Sequence, residues 1–242
     1  MPMKICICIP CVDLHIPLLE KFLVTIVRFT RQPDEVIVSL SPKFETTCLQ
    51  ERADTLCNNF SNLNLKILVQ PSITTAAINL NKIHEISTSD ILVRCDADDI
   101  IHPQKLEIVE SIFKKYPDTK LILHRWIMSN KIDYSLIHFN HIEQLDDNDV
   151  HLDIKPYNKI DLQSISLSEK YKGGIELLSK SNWITNGANV YTKEVANRIK
   201  YINRNFAEDK LFNSEVTKYF KKTIFLDCKL IIISPIGSGS WR

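Results

Sequence analysis

Two acidic motifs have residue types and spacing suited to chemistry. The first, Asp96-Ala97-Asp98-Asp99, follows the strand-like run 90–95 (DILVRC). Side chains alternate across a strand, so Asp96 and Asp98 are expected to point the same way. Two such carboxylates repel unless a cation or hydrogen-bond donors lie between them. A Mg²⁺ or Mn²⁺ ion shared with a diphosphate resolves that repulsion, and ligands of open α/β sheets sit at the carboxyl ends of strands. The same tetrapeptide also reads as a solvated turn capping a helix that starts near Pro103, because Asp favours helix starts. The second motif is Glu208-Asp209, within NFAEDKLF. A carboxylate there can take the proton of an attacking hydroxyl. It also suits a helix's first turn, where the macrodipole favours acids and lowers their pKa, making Asp209 a weaker base.

Composition narrows the choices. With only five glycines, the chain carries neither G-x-x-x-x-G-K-[ST] nor G-x-G-x-x-G, so glycine backbone does not cradle a phosphate here. A bound diphosphate needs another counter-charge, and a divalent metal on carboxylates supplies it. The net charge of +1 excludes a global basic field, and nucleic acid is not an expected partner. The start MPMKICICIP, interrupted at Pro10, does not read as a secretory leader. No apolar run reaches the ~18 residues of a membrane span, so no transmembrane segment is expected. The seven cysteines are then expected to be reduced, in the cytoplasm. Cys6, Cys8 and Cys11 read as buried thiols rather than zinc ligands, since no second Cys/His pair has the required spacing.

The elements that must position these motifs alternate in the first half. Strands are expected at 4–9, 35–40, 65–70, 90–95 and 120–128. Helices are expected from Pro17, over 44–59, over 73–87 and from Pro103. This order implies a mostly parallel, doubly wound sheet. The second half is less regular: residues 130–182 are polar, a short helix falls within 190–201, and a helix covers 206–220 with Phe212, Val216, Tyr219 and Phe220 on one face. A last strand pair is expected over 225–234. One domain over 1–242 results, with a nucleotide-sugar-binding half (1–128) and an irregular acceptor-side half (129–242).

With ICIPC (7–11), EVIVSLS (35–41) and QPSITTAAINLNKIHEISTSDILVRC (70–95) before Asp96–Asp99, the sequence resembles the family 2 glycosyltransferases. The resemblance runs over most of the chain and is best over 4–113. It implies the A-type glycosyltransferase fold and a nucleotide-sugar donor. It also implies that Asp96 faces ribose or metal, that Asp98 ligates the metal on the donor diphosphate, and that Asp99 helps or caps. Pro10, Cys11 and Val12 match the loop after the first strand, which in the family wraps the nucleotide. Asn79 lies in the matching helix. Ser39-Leu40-Ser41 stands where the family often has an Asp pair reading the base, leaving Ser41 a neutral hydroxyl for that contact. All seven histidines lie at or before His151, so a late His ligand is missing and the metal would lean on water and phosphate.

On the acceptor side, Glu208-Asp209 matches the family's Glu-Asp pair, whose Asp is the general base of inverting members. Residues 185–192 (TNGANVYT) resemble the acceptor-side strand, where Gly187 can admit close backbone approach or simply bend an edge. Trp241, in the terminal GSGSWR, offers a ring to stack on a sugar face, while Trp183 suits the core. Lys210 and Arg242 read as solvated charges. The expected activity is therefore metal-dependent (Mn²⁺ or Mg²⁺), inverting transfer to a glycan or other hydroxyl acceptor. The competing reading is a non-catalytic nucleotide-sugar or glycan-binding module on the same fold; such a module needs no base. A sugar nucleotidyltransferase should carry a glycine- and basic-rich N-terminal loop, and IPCVDLHIP is not one.

Overall fold

The structure, a computed structural model, describes residues 2–44, 48–128, 162, 165, 189–204 and 207–233. The chain runs β1 (Ile5–Val12), α1 (Ile16–Ile26), β2 (Glu35–Ser41), α2 (Leu49–Asn59), β3 (Leu65–Val69), α3 (Ala76–Ile86) and β4 (Ile91–Arg94). It continues through β5 (Ile100–Ile101), α4 (Lys105–Lys115), β6 (Leu121–Met128), β7 (Asn189–Thr192), α5 (Lys193–Arg198), α6 (Glu208–Phe220) and β8 (Thr223–Ile233). Among the described residues these strands form one sheet of order β3-β2-β1-β4-β7-β6-β8-β5. The pairs β1–β2, β2–β3, β1–β4 and β6–β8 are parallel. β7 runs against both its neighbours, and β5 runs against β8.

Alternation along β1 shows why its sequence is apolar throughout. Ile5, Ile7, Ile9 and Cys11 pack with α1, α2 and α4, whereas Cys6 and Cys8 pack with α3, α5 and α6. Helices therefore cover both faces of the sheet, and strands buried on both faces read as continuous hydrophobic runs. Cys6, Cys8, Cys11 and Cys95 are buried free thiols. Burial pushes the Cys8 and Cys11 thiols up, away from the reactive thiolate.

Several expectations change. Pro10, Cys11 and Val12 are strand residues rather than a loop, because β1 stays paired with β2 as far as Val12 and Ser41. Proline is tolerated because of register. The Cys8 carbonyl accepts from the Cys95 N–H, so Pro10, two residues on, faces the same side. β4 has ended there at Arg94, and no ladder bond is lost. β8 is one long strand instead of a pair, with a register irregularity opposite His124–Arg125. α2 begins only at Leu49, after Cys48 in a left-handed conformation. Of the expected face of α6, Phe212 and Val216 are buried and Phe220 packs against the core, but Tyr219 is exposed; the buried face also carries Glu208, Asp209, Asn213 and Thr217. Arg198 lies over the Tyr219 ring, 4.6 Å from its centroid.

Polar groups align the strand ends that face the acidic motif. Asn79, fully buried on α3, accepts from the Ser39 hydroxyl (2.9 Å) and from the Thr74 hydroxyl (2.9 Å), and donates to Ser41 Oγ (3.2 Å). Ser41 in turn donates to the Cys11 carbonyl (3.4 Å), and Gln70 donates to Ser39 (2.9 Å). Asp13, just past β1, accepts from the Lys43 N–H (2.9 Å) and so holds the chain leaving β2. Glu35 accepts from Ser87, Thr88 and Ser89, anchoring the connection into β4. Replacing Asn79 by Ala should leave the Ser39 and Thr74 hydroxyls without their acceptor and destabilise the fold by about 1–3 kcal/mol. Urea unfolding checks this; a midpoint unchanged from that of the unsubstituted protein would show the network to be incidental.

Candidate active site

The acidic motif does not continue β4. The strand ends at Arg94, and residues 96–99 turn back on themselves. The Asp99 N–H donates to the Asp96 carbonyl (3.2 Å), and the Asp96 N–H donates to Asp99 Oδ2 (3.3 Å). Strand alternation therefore does not align Asp96 with Asp98. Nor is the turn solvated: Asp98 and Asp99 are buried at 8% and 6% exposure, and Ile100–Ile101 continues into the sheet as β5 beside β8. Asp96 is the most open of the three, its side chain 21% exposed.

Crowding these carboxyls out of water has an electrostatic effect. Burial, reinforced by the Asp96 charge, pushes the Asp98 carboxyl up to about 7. Burial followed by the charges of Asp96 and Asp98 drives Asp99 well above the usual carboxylate range. Lys105, wholly buried at the start of α4, has its ammonium pKa lowered by burial, while Cys95, Asp99 and Asp96 pull it back up. His15, half-buried before α1, is lowered by burial, with the Asp96 charge opposing.

The second motif lies against the first. α6 opens with Glu208 and Asp209, both buried, after Ala207 in a left-handed conformation (φ 59°, ψ 22°). Arg94 joins the motifs: its Nη2 donates to Glu208 Oε1 at 2.9 Å, and its Nε stands 3.8 Å from Asp96 Oδ1. Asp209 is pushed up to about 6. Burial is the largest cause, opposed by Arg94 and aided by Glu208. The macrodipole argument for a weakened base thus fails, because desolvation outweighs it.

Of the expected donor-side residues, Pro10, Cys11, Val12, Ser41 and Asn79 lie together at and beside the carboxyl ends of β1 and β2, all buried. Lys210 is exposed, as a solvated charge should be. Gly187, Trp183, Trp241 and Arg242 lie outside the described residues. Sequence reasoning missed Arg94, whose signal was an arginine within the otherwise apolar strand ILVR. It also missed Tyr201, which had no signal beyond its residue type, and Asn189, which lies within the TNGANVYT run but was not singled out. A cavity of about 370 Å³ lined by Lys115, Tyr116, Asp118 and Lys222 lies at the opposite, amino ends of β6 and β8, away from these carboxylates.

Residues 6–157 match the model of glycosyl transferase family 2, more than half of the chain. The chain belongs to this family. No curated protein sequence matches it significantly. Among solved structures, S. aureus TarS 1–349 in complex with UDP superposes with a TM-score of 0.65 at 14% identity, covering 96% of this chain and 60% of that one. The mannosyltransferase PcManGT from Pyrobaculum calidifontis, in complex with GDP-Man and Mn²⁺, gives 0.61 at 13% identity, covering 96% and 57%. These likenesses show the A-type glycosyltransferase fold, and the family 2 chain described here spans about three fifths of the length of those structures. No helix among the described residues is long and apolar enough to cross a membrane.

Asp98 supplies a pH test. A carboxyl raised in the fold binds its proton more tightly there than in the unfolded chain, so its burial lowers stability as pH rises through about 7. Asp98→Asn should therefore raise the melting temperature at pH 8 without added metal, and the gain should shrink as pH falls toward 5. Parallel melting curves of the two proteins would show instead that Asp98 is ionised at no cost.

Proposed function

We propose that this chain transfers a sugar from a nucleoside diphosphate sugar to an acceptor hydroxyl, with inversion and with the help of Mn²⁺ or Mg²⁺. One observation carries the reading: the acidic turn after β4 and the carboxylates opening α6 form a single buried cluster joined through Arg94. A donor-holding group and a proton acceptor then share one site.

Asp98 and Asp96 are the residues to hold the cation. Among the described residues no three His, Cys, Asp or Glu side chains group to hold a metal by themselves. Two carboxylates completed by water and substrate phosphate suit Mg²⁺ or Mn²⁺, and the raised carboxyls of Asp98 and Asp99 are those a cation would return to their charged form. When bound, the ion neutralises charge gathering on the departing diphosphate. UDP in TarS and GDP-Man with Mn²⁺ in the Pyrobaculum enzyme support a donor of this class. Ser39, Ser41 and Asn79 bond one another, so they shape the donor pocket through the strand ends they align. The free thiols suit the reducing cytoplasm.

Asp209 takes the proton of the acceptor hydroxyl as that oxygen attacks the anomeric carbon. With a pKa near 6, it is ionised at neutral pH yet basic enough to accept a proton. Glu208 is held by Arg94 and is not the base. A base on the acceptor side serves a single displacement, which inverts the anomeric centre.

Asp209→Asn tests the assignment. Single-turnover transfer at saturating donor and metal should fall ~10²–10⁴-fold, while the donor dissociation constant stays within about threefold. Near-normal transfer by this variant would refute the base. Separately, UDP or GDP with Mn²⁺ should raise the melting temperature, by an amount that grows with ligand concentration over Kd. Asp98→Ala should abolish that rise, and a rise that survives in Asp98→Ala would remove the cation role. Nucleotide binding without turnover of any acceptor would favour a binding module.

A further inference from the structure

Arg94 has no access to solvent, yet it sits in a strand position where an apolar side chain would be the ordinary choice. A buried guanidinium is costly unless anions hold it, and a well-packed hydrophobic residue usually serves stability as well or better. Its contacts are directional. Nη2 donates to Glu208 (2.9 Å), and Nε faces Asp96 at 3.8 Å. The Cζ lies 5.2 Å from the centroid of the Tyr201 ring. Among the described residues Nε and Nη1 have no hydrogen-bond partner, which leaves the Nη2 bond to Glu208.

Besides Asp96, the groups described around Arg94 lead back to α6. The Tyr201 ring stacks on Phe212 with centroids 4.0 Å apart and planes 7° from parallel. Phe212 is one turn beyond Glu208, on the same face of the helix. Asn189 of β7 donates both to the Tyr201 hydroxyl (3.0 Å) and to Asn213 Oδ1 (3.1 Å). Ala207, immediately before the helix, holds a left-handed conformation that is unfavourable for a residue with a Cβ. Glu208, the partner of Arg94, lies directly after it.

We propose that Arg94 is a positioning residue: it holds the first turn of α6 against the acidic turn, so that Asp209 meets the acceptor in one fixed orientation. The inference rests on the transferase reading for its kinetic consequence, but its structural part stands apart from it. Without the fork of Arg94, Ala207 relaxes and the helix start swings, carrying Asp209 away from the reacting hydroxyl while the donor side remains.

The test uses the full chain and the variants Arg94→Lys, Arg94→Met and Glu208→Gln. Arg94→Lys keeps a charge without the planar fork, and it decides the matter if Arg94→Met does not fold. Single-turnover transfer, with whichever nucleoside diphosphate sugar the protein turns over, should fall at least tenfold in both Arg94 variants. The dissociation constants of UDP and GDP with Mn²⁺ should stay within threefold. Amide ¹H–¹⁵N shifts should change mainly over residues 207–213, and Glu208→Gln should move the same amides. Transfer within twofold of the unsubstituted protein, or a loss confined to nucleotide binding, would overturn the proposal. If the unsubstituted protein transfers no sugar at all, the transferase reading fails, and the amides decide alone. A shared shift pattern in the Arg94 and Glu208 variants then supports the positioning role, and unmoved amides at 207–213 overturn it.

Discussion

The contact between Arg94 and Glu208 joins parts of the chain 114 residues apart. One partner ends the strand that delivers the acidic turn; the other opens the helix that delivers Asp209. A guanidinium and a carboxylate can both leave water only when each meets the other in good geometry. The fold has organised its neighbours around that condition. Tyr201 covers one side of the guanidinium, Phe212 backs Tyr201, and Asn189 ties the tyrosine hydroxyl to the same helix. β7, which carries Asn189, is inserted between β4 and β6, so the later part of the chain enters the sheet next to the acidic strand. The two carboxylate motifs are thus placed by one sheet.

Around this contact the protein gathers acidic groups that water would otherwise separate. Asp98, Asp99 and Asp209 all hold their protons more tightly than free carboxyls do, and burial is the first cause in each case. Such a site is poised: an arriving cation or a substrate proton finds groups ready to change state at neutral pH. Buried histidines elsewhere in the fold behave in the opposite sense. Burial holds His84 down to about 3 and His102 to about 4, so both stay neutral. Among the described residues Lys105 and Arg94 are the buried cations, and the Asp96 charge acts on both.

The framework of this arrangement was legible in the sequence where periodicity was strong. The runs ICICIP, EVIVSL and LKILV are strands, and the acidic tetrapeptide stands at a strand end. Boundaries slipped where pairing partners set the length: β1 reaches Val12 because β2 continues beside it to Ser41. Strand alternation could not be carried past Arg94, since a hydrogen-bonded turn begins two residues later. Desolvation was likewise invisible, because the depth of Asp209 depends on which surfaces α6 covers, and the apolar residues Phe212 and Val216 did not reveal that the buried face extends to Glu208 and Asp209. Arg94 was in plain view, but an arginine in a strand reads as an edge residue until its distant partner is known.

The order of the sheet also decides how this molecule can meet copies of itself. One border is β5, a strand of two residues, too short to act as a template for a neighbouring chain. The other is β3, five residues long, whose Lys66 is exposed and already engaged with Glu35 at 3.0 Å. A lysine on an outer strand discourages edge-to-edge growth, because docking another strand there would strand its charge. Among the described residues, strand addition to this sheet is therefore blocked at one border by brevity and resisted at the other by charge.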